Sequence, residues 1–322
     1  MKKLCELLGK NEIAGNKVGI EIEAEGENIK MSEVAYWRSE DDGSLRGEFP
    51  NSRHEFVSGV LDIKDVSSAI KALIEDQKGA EFDFSFRTST HVHVNALDMP
   101  LEKLVNYIYL YYLLEKDLFE YCGPSRKNNR FCLRLVDCEY QLSILKSMIE
   151  NNFRELRFII SDELRYAACN TASLLKYGTL EFRGMRGTMD HDVLMNWVGM
   201  LVRLKDMAMS YASPSAIYKE ALENPNQFMD KIYGKYRDVF RNPSSYHNIT
   251  EALSLTIEVP FIAEEWIQEN NRRAKAPKVA PGGRAIFNGQ GFERLAAPAD
   301  AFEAQNLDMP VEMLFNPVQP RR

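Results

Sequence analysis

The sequence predicts an α+β protein built around a mainly antiparallel β-sheet. Short segments such as Val18 to Ala24 alternate apolar and polar residues with the two-residue period of a strand. Longer segments such as Leu101 to Tyr121 place apolar residues at helical spacing. Strands that alternate, instead of forming continuous apolar runs, are typical of antiparallel sheets with only one face in the core.

Strand signals dominate the first third of the chain. Alternation predicts strands over residues 18–24, 53–60, 82–86 and 91–95. The D-D-G-S-L sequence from Asp41 to Leu45 predicts a turn, because Asp-Gly steps readily adopt positive φ. A helix is predicted from Asp65 to Asp76.

Helices dominate the rest of the chain. Amphipathic spacing predicts them over residues 101–121, 138–150, 190–211, 214–223, 226–240 and 249–270. Asp98 is a candidate cap for the first of these, and Asp190 begins the third. Between the second and the third, we expect a loop that contains Asn170 and a strand from Thr179 to Arg183.

Composition sets the class of protein. The 322 residues are 45% hydrophobic, which is ample for a packed core. The net charge of −7 predicts no general binding to nucleic acid or to anionic membranes. Five cysteines without C-x-x-C spacing, no signal-peptide pattern and no apolar run of transmembrane length predict a reduced, cytoplasmic protein.

The C-terminal segment differs from the rest. Six of the thirteen prolines lie between Pro277 and Pro320, among Ala and Gly residues and without a sustained period. We therefore predict a catalytic domain over residues 1–271 and an extended or partly disordered extension over residues 272–322.

Charged side chains share one side of the predicted strands. Residues two apart on a strand project from the same face. The residues concerned are Glu21 and Glu23, Glu55, His91 and His93, and Glu181 and Arg183. Two carboxylates about 5 Å apart repel by roughly 3 kcal/mol at an effective dielectric constant of about 20. Such a cluster requires cations or raised pKa values, and oxygen ligands with one imidazole suit Mg²⁺ or Mn²⁺.

The order of these motifs resembles a known family. G-I-E-I-E-A, D-D-G-S-L with H-E-F-V-S, S-T-H-V-H-V-N, C-N-T-A-S and T-L-E-F-R-G-M-R-G-T-M-D follow one another between Val18 and Asp190. This series resembles the amidoligases of the glutamine synthetase and glutamate–cysteine ligase superfamily.

The resemblance implies a fold and an activity. The fold is a curved, glutamine synthetase-like antiparallel sheet with helices on its convex side. The activity is ATP-dependent carboxylate–amine ligation: ATP phosphorylates a carboxylate, and an amine displaces the phosphate to form an amide. The two substrates are small molecules or peptide and protein side chains, and the oligomeric state is open because family members assemble differently.

The resemblance also implies roles for single residues. Glu23 and Glu55 resemble the ligands of one metal ion, and Glu21, His91 and Glu181 those of a second ion at the nucleotide phosphates. The remaining candidates are His93 for phosphate contact, Arg183 for the transferred phosphoryl group, Arg186 and Arg87 for phosphate or the substrate carboxylate, Asn170 for substrate orientation, and Asp42 and Glu48 as further acids near the site.

Two alternatives stay open at this level. H-x-H motifs also begin the metal sites of amidohydrolases, but only His191 and His247 follow downstream, both on predicted helices. A non-catalytic nucleotide-binding module of the same fold would be expected to lose some of the ligand residues. A requirement for ATP in turnover separates the ligase from both.

Overall fold

In the part of the chain that the structure describes, eight β-strands form an open sheet. The computed structural model describes residues 1–46, 52–153 and 164–275, and Glu48 lies outside these ranges. The strands are Lys17–Glu27 (β1), Trp37–Glu40 (β2), Arg53–Ser58 (β3), Leu61–Asp62 (β4), Glu81–Phe82 (β5), Ser89–Asn95 (β6), Cys169–Asn170 (β7) and Thr179–Arg186 (β8).

The sheet is antiparallel at every strand pair of the described chain. Its order is β2-β3-β1-β6-β8-β7, and β4 and β5 pair with the two ends of β1. The predicted α+β class with a mainly antiparallel sheet is therefore confirmed.

Helices occupy most of the remaining described chain. They are Leu4–Leu8 (α1), Val66–Asp76 (α2), Leu101–Cys122 (α3), Tyr140–Glu150 (α4), Ser173–Tyr177 (α5), His191–Ser210 (α6), Pro214–Glu223 (α7), Pro225–Tyr233 (α8), Arg237–Phe240 (α9), Ser245–Leu255 (α10) and Glu258–Lys275 (α11). Short 3-10 turns cover Pro124–Arg126, Leu135–Asp137, Leu164–Tyr166 and Gly234–Tyr236.

The core lies on one face of the sheet. Val18, Ile20, Ile22 and Ala24 of β1 are all buried. The α3 helix packs against this face, with the rings of Tyr107 and Tyr111 at 5.5 and 5.0 Å from that of Phe182 in β8. Because strand side chains alternate between faces, the odd-numbered residues of β1 and β6 are left for the opposite face.

Side-chain hydrogen bonds explain two differences from prediction. The strand predicted over residues 82–86 ends at Phe82. A turn follows, because the Ser85 hydroxyl accepts from the N–H of Arg87 and the Thr88 hydroxyl donates to the carbonyl of Ser85. Asp98 does not cap α3; its carboxylate accepts from the Gly15 N–H and from the buried ammonium of Lys205 instead.

Helix breaks explain two more differences. The segment 226–240 is interrupted at Gly234, whose φ of +53° lies outside the range of a right-handed helix. The helix predicted over residues 249–270 is split between Leu255 and Glu258. In a separate difference, Asn170 lies in the β7 strand and not in a loop. The α1 and α5 helices and the β2 and β4 strands were not predicted.

The last described helix continues past residue 271, the predicted end of the catalytic domain. The α11 helix continues to Lys275, so residues 272–275 are helical and not extended. All the described residues belong to one compact unit. The rest of the predicted extension, residues 276–322, lies outside the described residues.

All five cysteines are free thiols, and four of them are buried. Within the described ranges, none of the helices has both the length and the apolarity needed to cross a bilayer.

Candidate active site

Strand register brings the predicted acids and imidazoles together. Glu23 lies opposite Glu55 across β1 and β3, and Glu21 lies opposite His91 across β1 and β6. His93 pairs with Glu181 across β6 and β8, and Asn170 of β7 is the next partner of Glu181. These side chains therefore form one cluster on the face of the sheet opposite the core.

Glu21 lies between the two imidazoles. Its Oε2 is 3.2 Å from His91 Nδ1, and its Oε1 is 3.4 Å from His93 Nε2. Burial by itself would raise the pKa of Glu21, but hydrogen bonds from His91 and His93 hold it below its ordinary value. The same contact with Glu21 raises the pKa of His93 against the opposing effect of burial. The carboxylate is thus kept ionised in a partly buried position.

Glu181 is held by an arginine and an amide. Nη1 of Arg183 donates to its Oε1, and Nδ2 of Asn170 donates to its Oε2 at 2.7 Å. Burial opposes ionisation, but the charges of Arg183 and His91 lower the pKa of Glu181. Arg183 Nη1 also lies 3.4 Å from His91 Nδ1, so the guanidinium contacts the cluster directly.

Glu23 has a partner that the sequence prediction missed. The Ser89 hydroxyl donates to Glu23 Oε2 at 2.5 Å and lies 2.8 Å from His91 Nε2. Ser89 is two residues before His91, so strand alternation was the signal that could have found it.

Glu55 lacks a compensating cation among the described side chains. Burial, followed by the charges of Glu21 and Glu23, raises the pKa of Glu55 to about 8, and Asp42 adds to the effect. A divalent cation at these carboxylates would favour their ionised form. The donor set therefore fits a hard divalent cation.

Among the described residues, two groups of donor atoms are compact enough to hold a metal ion. The ligand atoms of Glu21, His93 and Glu181 lie within 4.8 Å of one another, as do those of Glu21, Glu55 and His91. The grouping differs from the sets that the resemblance implies, since Glu21 belongs to both groups and Glu23 to neither. The predicted ligands occupy one cluster, but their division between two ions stays a prediction.

A β-bulge shapes the arginine side of the cluster. Thr90 pairs with Met185 and Val92 with Phe182, so Arg183 and Gly184 together lie opposite His91 alone. The extra residue reverses the alternation of β8, and Arg186 becomes the partner of Ser89.

A fully buried arginine holds this bulge. Arg126 donates to the carbonyls of Arg183 and Gly184 at 2.9 and 3.3 Å, and more weakly to those of Phe86 and Thr88. No periodic pattern in the sequence marks Arg126, because it lies in a short 3-10 turn after α3.

The part of the chain that holds the cluster matches a known protein family. A family model described as "Putative amidoligase enzyme" matches residues 21–204, which contain every residue of the cluster. The chain belongs to this amidoligase family. The family resemblance inferred from the motifs is confirmed, and the family's description indicates an enzyme of ligase type. A search of the curated proteins finds no match.

Two predicted arginines of this amidoligase lie outside the cluster. Arg186 donates through Nη1 to the carbonyls of Tyr121 and Cys122 at the end of α3. Arg87 donates to the carbonyl of Ser44 in the predicted turn. Neither guanidinium contacts the carboxylates in the described structure, so their proposed phosphate or substrate contacts stay predictions.

A mostly apolar cavity adjoins the cluster of the amidoligase. It has a volume of about 250 Å³ and extends from Glu21 and His93 along the first half of β1. Other lining residues include Ile13, Gly19, Val57, Val60, Tyr177 and Thr179. The charged side chains of Lys17 and Arg38 also line the cavity. Mostly apolar walls with a few charged groups suit a small ligand that has both apolar and polar parts.

Proposed function

We propose that this amidoligase is an ATP-dependent carboxylate–amine ligase. A carboxylate oxygen attacks the γ-phosphorus of ATP, ADP leaves, and an acyl phosphate forms. The amine nitrogen then attacks the acyl carbon, phosphate leaves, and the nitrogen loses a proton to give the amide. The observation that supports this most strongly is one cluster in which four glutamates, two histidines and Arg183 meet in a chain of the amidoligase family.

Two divalent ions, Mg²⁺ or Mn²⁺, are part of the proposal. Glu21, His93, Glu181, His91 and Glu55 would hold them, and Glu23 adds charge next to Glu55. Bound there, the ions would neutralise phosphate charge and polarise the transferred phosphoryl group.

The protein's own groups would position the reacting phosphate. Arg183 presents a planar guanidinium beside Glu181 and His91, where it would stabilise negative charge on the phosphoryl oxygens. Ser89 and Asn170 orient Glu23 and Glu181 by hydrogen bonds, which reduces the reorganisation needed during reaction.

The cavity supports a position for the nucleotide. Glu21 and His93 of the cluster line one end of it, and its walls are mostly apolar. We place the base and ribose in this cavity, with the phosphates directed toward His93. The carboxylate substrate would then reach the cluster from the side of Glu23 and Glu55.

The hydrolase alternative gains no support from the histidines. His191 begins α6 and contacts Ser67 and Asp192, while His247 is exposed on α10 beside Glu251. Neither imidazole contacts the cluster, so the additional ligands of an amidohydrolase-type site are not found in the described chain.

The test is a screen of carboxylate and amine pairs for ADP release with Mg²⁺ or Mn²⁺, followed by mass spectrometry for the amide. We expect one pair to give stoichiometric ADP, phosphate and amide, and Arg183→Lys to reduce turnover because lysine lacks the planar fork. Bond cleavage without ATP would support the hydrolase instead. Metal-dependent ATP binding without turnover on any pair would support a binding module.

A further inference from the structure

Three arginines and three aromatic rings form a connected surface beside the catalytic cluster. Arg130 lies 4.9 Å from the ring centre of Phe131, and Arg87 lies 5.7 Å from the same ring and 5.2 Å from that of Phe86. The Tyr166 ring is 6.1 Å from Phe131 and carries the guanidinium of Arg165 at 4.7 Å. We call these residues, Phe86, Arg87, Arg130, Phe131, Arg165 and Tyr166, the arginine–aromatic surface.

Two arginines of this surface have no acidic partner among the residues that the structure describes. Within the described chain, Arg87 and Arg130 form no ion pair with a carboxylate. Neighbouring cations differ, since Lys127 pairs with Glu120 and Arg134 with Asp137. In a chain whose net charge is −7, a local group of unpaired guanidinium groups indicates an anionic ligand.

The stacking also prepares the arginines for binding. A guanidinium held over a ring loses less freedom on binding, and its N–H edge remains available for a carboxylate. A groove of about 460 Å³ lies next to these groups, between the exposed ring of Phe86 and the segment Pro124–Arg130. This groove offers room for an extended chain.

Position connects the surface with the proposed reaction. Arg87 is two residues before Ser89, whose hydroxyl binds Glu23. Its Nη1 donates to the carbonyl of Ser44, and the Ser44 hydroxyl donates to Asp42, whose charge acts on Glu55. The surface therefore borders the Glu23 and Glu55 side of the cluster, whereas the cavity lies on the Glu21 and His93 side.

We propose that the arginine–aromatic surface binds an acidic peptide segment and delivers one of its carboxylates to the cluster. This inference rests on the proposed ligase function and names its carboxylate substrate as a carboxylate-rich peptide. Several carboxylates on one flexible chain match several separated guanidinium groups, and each contact would be a charge-assisted hydrogen bond.

Nucleic acid is the less favoured anion. Single-stranded nucleic acid is held by bases that stack on open ring faces. Here the guanidinium groups of Arg130 and Arg165 already lie over Phe131 and Tyr166. A long phosphate chain would also be repelled more strongly than a short peptide by a protein of negative net charge.

The experiment measures binding of fluorescein-labelled hexaglutamate to the full chain by fluorescence anisotropy, without ATP or metal ions. Hexaglutamine with the same label reports binding that does not depend on charge. Arg130→Gln and Arg87→Gln each remove one guanidinium group, and Lys219→Gln removes one exposed positive charge from α7 as the matched control. We expect hexaglutamate to bind more tightly than hexaglutamine and each arginine variant to weaken it about tenfold. Binding by the control variant should stay within about twofold of the unmodified protein, and added salt should weaken hexaglutamate binding.

Three results would overturn the proposal. They are equal affinity for hexaglutamate and hexaglutamine, an equal loss in Lys219→Gln, and tighter binding of oligothymidylate that the same arginine variants abolish. Because the assay contains no ATP, its outcome is independent of turnover. ADP release on a small carboxylate together with no hexaglutamate binding would leave the ligase function standing and refute only the peptide substrate.

Discussion

Arg126 donates a 2.9 Å hydrogen bond to the main-chain carbonyl of Arg183, so one fully buried arginine holds the backbone of another that contacts the cluster of acids and imidazoles. The same guanidinium also reaches the carbonyl of Gly184, the second residue of the bulge. Since the bulge determines where the Arg183 side chain lies relative to His91, Arg126 is a positioning residue for the proposed reaction.

Arg126→Lys should separate positioning from stability. Lysine keeps the charge but cannot donate hydrogen bonds to all four carbonyls at once, so we expect a loss of about 2–4 kcal/mol in the free energy of unfolding. We also expect kcat to fall at least tenfold, with little change in the KM for ATP. Thermal denaturation and steady-state kinetics well below the melting temperature measure both effects.

Arg203→Lys is the matched control for that variant. Arg203 also donates to two backbone carbonyls, those of Ile232 and Lys231, but in α8, outside the cluster. Arg203→Lys should lower the free energy of unfolding and leave kcat unchanged. An equal fall of kcat in the two variants would show that Arg126 acts only through global stability.

Glu181→Gln should weaken metal binding and stop turnover. The amide oxygen can still accept from Asn170, so the fold should remain, but one negative charge of the cluster is removed. We expect Mn²⁺ affinity, measured by calorimetry, to fall at least tenfold and ADP release at least a hundredfold. Glu223→Gln, on the surface of α7, provides the control. Unchanged Mn²⁺ affinity would contradict the assignment of Glu181 as a ligand.

Gly19→Val should block the cavity proposed for the nucleotide without unfolding the sheet. A Cβ at this position would lie 3.7 Å from His93 Cβ, which is an ordinary contact, while the rest of the side chain would enter the cavity. We expect the affinity for a fluorescent ATP analogue to fall at least tenfold and the melting temperature to change little. Gly19→Ala should give a smaller loss, and wild-type nucleotide binding by the valine variant would place the nucleotide elsewhere.

Glu115→Gln should change how stability depends on pH. Burial of Glu115 in α3 raises its pKa to about 8, opposed by the N–H of Leu135 and by Arg134, whereas Asp137 adds to the increase. Between about pH 5 and about pH 8 the folded state therefore holds a proton that the unfolded state has lost. Stability should fall as pH rises, by up to about 1.4 kcal/mol per pH unit. In Glu115→Gln, chemical denaturation across this range should show a flatter profile; a profile parallel to the unmodified protein's would contradict the raised pKa.

Alternation was sufficient to predict most of the sheet and the shared face of the cluster. A strand with one buried face has little freedom to change its register, so Ile20 and Ile22 in the core place Glu21 and Glu23 on the other side. The family motifs added the chemistry, since a period of two cannot distinguish a metal ligand from a solvated carboxylate.

Other parts of the site leave no periodic signal. A bulge cannot be read from the sequence around Arg183 and Gly184, because it depends on which residues of β6 lie opposite. Arg126 occupies a short turn, and its role depends on carbonyls that belong to distant segments. The partners of Arg186 at the end of α3 depend in the same way on tertiary packing.

The order of the strands has a consequence for folding. His91 meets Glu21 across 70 residues of chain, and Arg183 meets His91 across 92. Contacts at such sequence separation form slowly, because loop-closure entropy opposes them until the sheet is nearly complete. A chain that has paired β1 with β3 but not yet β6 with β8 carries Glu21, Glu23 and Glu55 without Arg183. The β6 strand brings His91 and His93 to Glu21, and β8 then adds the Arg183 guanidinium, so the cluster is complete only when β8 has paired.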